Sequence, residues 1–166
     1  MVEKVKWSDG HEHWIKKGDV DLFLWNKEAR TSCRGVILFV HGSSMAAQPT
    51  FDLHVPGRAY SSAMDWFRDK GFDTWTLDNE GYGRSDKKRL INFDIQNGVD
   101  DLVGAVQYIL SKTDFKRIHL YGISSGALKA AMFAQQNPEL VDKLIIDAFV
   151  WTGQGSPTLA SRKEKL

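Results

Sequence analysis

Gly122, Ser124 and Gly126 alternate with other residues in the run Leu120-Tyr121-Gly122-Ile123-Ser124-Ser125-Gly126. An apolar, strand-like stretch precedes the run, and a helix-like one follows it. On a sharp strand-to-helix turn a serine is forced into a strained backbone conformation that exposes its hydroxyl. Glycines on either side let neighbouring backbone pass close by. At the carboxyl edge of a parallel sheet such a hydroxyl is placed to attack a carbonyl carbon. The competing reading makes Ser124 a helix N-cap and Gly126 a packing glycine.

Two further groups follow apolar runs in the same way. His41-Gly42-Ser43-Ser44 comes after Gly35 to Val40, and Asp78-x-x-Gly81-x-Gly83-x-Ser85-Asp86 opens at the end of a strand read over Phe72 to Asp78. The elements that would position them can be read from hydrophobic pattern. Residues 2 to 27 alternate apolar and charged side chains around Asp9-Gly10 and Lys17-Gly18-Asp19, which predicts two or three antiparallel strands. Gly35 to Val40 is continuously apolar, as a strand covered on both faces should be. Residues 43 to 58 read as a loop, and Ala59 to Lys70 as a short amphipathic helix. Val99, Leu102, Val103, Val106, Ile109 and Leu110 share one face of a helix over Asn97 to Ser111. Ile118 to Tyr121 is a strand, Ser125 to Gln136 a helix that ends before Pro138, and Leu144 to Val150 a last apolar strand. Two strands followed by alternating strands and helices imply an α/β fold, a mostly parallel doubly wound sheet with antiparallel strands at its amino terminus. Ligands bind such sheets at the carboxyl ends of the strands, where the loops after Val40, Leu77 and Tyr121 meet.

The bulk composition excludes several function classes. The 166 residues carry 22 basic and 21 acidic side chains, and a formal charge of +1 offers nothing to nucleic acid or an anionic membrane. A lone cysteine, Cys33, forms no intramolecular disulfide and suits a reducing compartment. The amino terminus has no apolar signal core, and the longest apolar runs are strand-sized. The expectation is a cytoplasmic protein with no membrane span. Residues 1–151 form its core, and 152–166 form a polar tail or the start of a further segment.

The three strand-end motifs together resemble the α/β-hydrolase family, over roughly residues 20 to 150 and its amino-terminal part only. The resemblance implies Ser124 as nucleophile, with the backbone N–H groups of Ser125 and Ser43 as oxyanion-hole donors. Ser44 is the alternative to Ser43. Each donor in such a hole is worth about 3 kcal/mol of barrier. The resemblance also implies acyl transfer to water, on an ester, thioester, lactone or amide. Family members that open epoxides or displace halide use a carboxylate in place of the serine. No cofactor or metal is implied, and the expected partner is a small acyl substrate.

The triad of this family runs serine, acid, histidine along the chain. Here all five histidines, His11, His13, His41, His54 and His119, precede Ser124. Asp147 is the candidate acid, against a structural strand-end aspartate. His54 is the base candidate with access. His41 reads as a loop-shaping residue, His119 as a satisfied histidine of a sheet face, and Asp78 as a turn cap. The expectation is a truncated hydrolase whose last strand leaves an apolar edge, a surface for self-association. The alternative is a non-catalytic, hydrolase-like module that binds a ligand or partner.

Overall fold

The computed structural model describes residues 9–90, 93–149, 154, 155, 157, 160, 161 and 164. Its frame is a six-stranded sheet of β1 (His11–Lys17), β2 (Val20–Lys27), β3 (Gly35–Val40), β4 (Phe72–Leu77), β5 (Ile118–Ile123) and β6 (Val141–Asp147). The strands lie in the order β1-β2-β4-β3-β5-β6. β1, β2 and β4 pair antiparallel, while β4, β3, β5 and β6 run parallel. β3 sits in the middle, and every one of its residues is buried, as its unbroken apolar run requires.

Helices α1 (Ala47–Phe51), α2 (Ala63–Asp69), α3 (Ile95–Ser111) and α4 (Ser125–Gln136) cover the sheet. α3 begins with a capping box. The Asp94 carboxylate accepts from Asn97 N–H at 2.8 Å, and Asp94 N–H donates to Asn97 Oδ1 at 3.2 Å. Its face of Val99, Leu102, Val106 and Ile109 packs with Leu38, Leu77, Leu120 and Phe133 into the larger core. The smaller core, on the other face, is aromatic: Phe23, Trp25, Phe39 and Phe51 with Met64 and Ile37.

Several boundaries differ from the pattern-based expectation, among them the start of α3 at Ile95 rather than Asn97 and the end of β5 at Ile123 rather than Tyr121. The segment 43 to 58 is not all loop, because α1 forms within it. Pro49 is tolerated in its first turn, where no intrahelical partner is needed. The Asp78 carboxylate, distant in sequence, accepts the Ala47 N–H at 2.8 Å. α2 starts at Ala63 rather than Ala59, because Tyr60 has φ 57° and Ser62 caps the helix by accepting from Asp65 N–H. β6 runs from Val141 to Asp147 rather than from 144 to 150. Pairing of Val141 with Ile118 sets its start, and Ala148, at φ 48°, breaks the extended backbone. Val150 and most of the expected tail 152–166 lie outside the described residues.

β6 pairs with β5 alone among the described strands. Leu144, Ile145 and Ile146 are each about two-fifths exposed, at 38%, 43% and 40%. No helix among the described residues is long and apolar enough to cross a membrane.

Candidate active site

Ser124 occupies the single residue between β5 and α4. Its backbone sits at φ 57°, ψ −126°, a conformation costing a non-glycine residue on the order of 1–3 kcal/mol. The surroundings hold it there. Ser124 N–H donates to Asp147 O at 2.9 Å, and Ser124 O accepts from Ala127 N–H at 3.0 Å. The flanking glycines are required by contact. A Cβ on Gly126 would overlap Val40 O and lie 2.6 Å from His41 O, while one on Gly122 would overlap Gly126 O and lie 2.7 Å from Ala127 Cα. The start of α4 thus lies directly on the end of β3, and the serine is left exposed above them.

The turn after β3 passes beside this serine. A Cβ on Gly42 would sit 3.0 Å from Ser124 Cβ and 3.4 Å from Ser124 Oγ. Ser43 and Ser44 follow and are exposed. Ser125 is the first residue of α4, so its N–H has no partner one turn back within the helix. Ser124 Oγ, Ser125 N–H and the turn after Gly42 are therefore brought to one place.

His41 braces that turn from below. It is fully buried, and its Nε2 accepts from Asn79 N–H at 3.0 Å. Nδ1 therefore carries the proton and donates to Gly42 O at 2.6 Å. Burial lowers its pKa to about 4, so the ring stays neutral at ordinary pH. Asp78 ties the neighbouring loops together as a turn cap. One oxygen accepts from Ala47 N–H and the other from Arg84 N–H at 2.9 Å. Ser85 hydroxyl donates to Asp78 O and accepts from Phe23 N–H, locking the loop to β2.

Below these loops lies a buried charge network that the pattern of the sequence did not single out. Asp101 of α3 is fully buried and receives Lys17, Asn79 Nδ2 at 3.1 Å and Glu80 N–H at 2.9 Å. Burial raises its pKa, against the pull of Lys17. The Glu80 carboxylate pairs with Lys17 at 3.0 Å and with the Arg89 guanidinium, which holds its pKa down. Lys129 of α4 is buried and donates to Asn79 Oδ1 at 2.8 Å. One signal could have exposed it: Lys129 is the only charged residue in the twelve of α4.

Asp147 is half-buried at the end of β6 and accepts from Tyr121 OH at 2.8 Å. Burial, then Asp147, raises the tyrosine pKa. The aspartate's link to Ser124 is its backbone carbonyl. The histidines differ in their surroundings. His54 is exposed in a depression with Arg30, Arg58 and Tyr60. His13 is bonded to Tyr108 OH, and His11 is exposed on β1. His119 lies 3.3 Å from Asp142, but its Nδ1 makes no hydrogen bond, so it is not the satisfied histidine expected. No group of three His, Cys, Asp or Glu among the described residues could hold a metal ion.

A family model described as serine aminopeptidase, S33, matches residues 31–161. A 2-hydroxy-6-oxononadienedioate/2-hydroxy-6-oxononatrienedioate hydrolase of Cupriavidus pinatubonensis is 25% identical over 145 residues, 87% of this chain and 45% of that protein. Epoxide hydrolase 1 of Caenorhabditis elegans is 31% identical over 110 residues, 66% of this chain and 24% of that protein. The chain therefore spans less than half the length of either curated relative. A carboxyl esterase of Bacillus coagulans shares the fold, with a TM-score of 0.64 at 16% identity, over 84% of this chain and 44% of that structure.

Proposed function

The chain belongs to the α/β-hydrolase family, and from that premise we propose that it carries the nucleophile and oxyanion hole of a serine hydrolase acting on a carboxylic ester or related acyl bond. Ser124 Oγ attacks the acyl carbon, and the carbonyl oxygen becomes negative. The N–H groups of Ser125 and Ser43 receive that charge. The leaving group departs with a proton, an acyl-Ser124 intermediate remains, and water releases the acid. Asp147 is the candidate acid, at the end of the strand beside the serine.

The observation that supports this reading most is Ser124 itself. A non-glycine residue stands at φ 57° with its side chain exposed and with Gly42 against its Cβ. A helix N-cap has no need of that strain. Serine at this position also separates the chain from epoxide opening, which in this fold uses a carboxylate nucleophile.

The same reading limits what the chain does alone. Both nitrogens of His41 are engaged, His13 is bonded to Tyr108 and His119 lies beside Asp142. With the nucleophile and donors but no base, turnover falls ~10⁴–10⁶ below that of a complete triad. Residual reactivity from the oxyanion donors is therefore the quantity to measure. Prolonged treatment with a fluorophosphonate at millimolar concentration should give an adduct that peptide mass spectrometry maps to Ser124, above any other serine, and that Ser124→Ala abolishes. An adduct no greater at Ser124 than elsewhere overturns the reading. It would favour a non-catalytic module that binds a partner through the apolar β6 edge.

A further inference from the structure

One buried ionisable group has no part in that chemistry. Lys129 stands on α4, five positions beyond Ser124, and is 2% exposed. Its ammonium donates to Asn79 Oδ1 at 2.8 Å and lies 5.8 Å from the ring of Tyr82 and 5.4 Å from that of Phe93. α3 makes room for it: a Cβ on Gly98 would lie 2.5 Å from Lys129 Cδ. Burial lowers its pKa to about 8, with Asp101 opposing the shift.

Stability alone does not account for a lysine here. A cation in so dry a place is costly, and an apolar side chain of similar length would avoid the cost. What the lysine adds is a bond to Asn79. From there a continuous path of contacts leads to the serine. Asn79 N–H donates to His41 Nε2, His41 Nδ1–H donates to Gly42 O, and Gly42 packs against Ser124.

We infer that Lys129 is a positioning residue for the turn after β3: acting through Asn79 and His41, it fixes the Gly42 carbonyl and therefore the direction of the Ser43 N–H beside Ser124. Its consequence for reactivity rests on the reading of Ser124 as nucleophile, whereas the mechanical link does not. The charged and titratable groups around this path are few. Asp101 faces it from α3, Glu80, Tyr82 and Arg89 from the loop after β4, Lys17 from the end of β1, and Asp78 from the end of β4. His41 stays neutral above pH 6, so it does not titrate with Lys129.

The test uses the whole chain, labelled with ¹⁵N, and its Lys129→Met variant. In the unsubstituted protein the Gly42 and Ser43 amide signals should shift between pH 6.5 and 9.5 with a midpoint near 8. In the variant that midpoint should vanish, the two amides should move already at pH 7, and fluorophosphonate addition at Ser124 should slow about tenfold. Asn79→Ala, which removes the acceptor and keeps the lysine, should also erase the midpoint. Amides that do not titrate in the unsubstituted protein overturn the inference, even if the variant fails to fold. Amides that respond as expected, in a protein whose Ser124 forms no adduct, uphold the positioning role and reject the nucleophile.

Discussion

The Ser124 turn and the loops beside it meet in one place but are held by different forces. The turn is fixed by backbone and excluded volume: two glycines without room for a Cβ, and a serine N–H on Asp147 O. The His41–Gly42 turn and the Asp78-Asn79-Glu80 loop are fixed by a neutral histidine and a set of buried charges. Steric restraint does not titrate, and it fails abruptly when an atom is added. Hydrogen-bonded charges respond to pH and yield by degrees. The turn that carries Ser124 and Ser125 is thus held by the part of the molecule that pH cannot alter, and the turn that carries Ser43 by the part that it can.

The steric half is broken most severely at Gly126. A Cβ there meets Val40 O and His41 O, main-chain atoms of the central strand and its exit that cannot step aside. Gly126→Ala should destabilise by about 4 kcal/mol, the range of changes that force a core apart. Urea unfolding would measure it. A loss under about 1 kcal/mol would mean that α4 does not rest on β3 as described.

The electrostatic half should show a pH signature. His41 binds its proton with a pKa near 4 when folded and about 6.5 when unfolded. Between those values the unfolded chain binds more protons, so stability is complete above pH 6.5 and declines as pH falls toward 4. The expected loss is about 3 kcal/mol. Unfolding curves from pH 7 to 4, compared with those of His41→Gln, isolate this share from the titration of carboxylates. Equal slopes in the two proteins would remove His41 from the account.

The smallest effect sharpens the contrast. Ser124→Gly should remove the strain at φ 57° and raise stability by about 1 kcal/mol, while abolishing the adduct. A gain in stability at the cost of reactivity would mark the turn as strained for function. A loss would show that the serine side chain holds the turn together.

Much of this was legible from residue order. The apolar run of β3, the helical face of α3 and the motifs after Val40, Leu77 and Tyr121 are local patterns, and each element formed where its pattern placed it. The sequence reads His41 as a loop-shaping residue and Asp78 as a turn cap, and their hydrogen bonds agree. The misses share a cause. α1 depends on Asp78, thirty-one residues away. Lys129 is one charged residue on an alanine-rich helix, and nothing nearby in sequence announces Asn79 or the gap at Gly98.

By itself, the sequence determined the α/β alternation, the strand-to-helix bend at Ser124 and the need for glycine on either side of it. These follow from periodicity and backbone sterics, which act over a few residues. Only the tertiary structure decided that Gly42 lies against Ser124, that Asp147 O receives its N–H, and that a lysine buried beneath the site reaches Asn79. Those contacts arise because β4, β3, β5 and β6 lie side by side although they are far apart along the chain. Hydrogen bonding and desolvation between such segments exist only once the sheet has assembled.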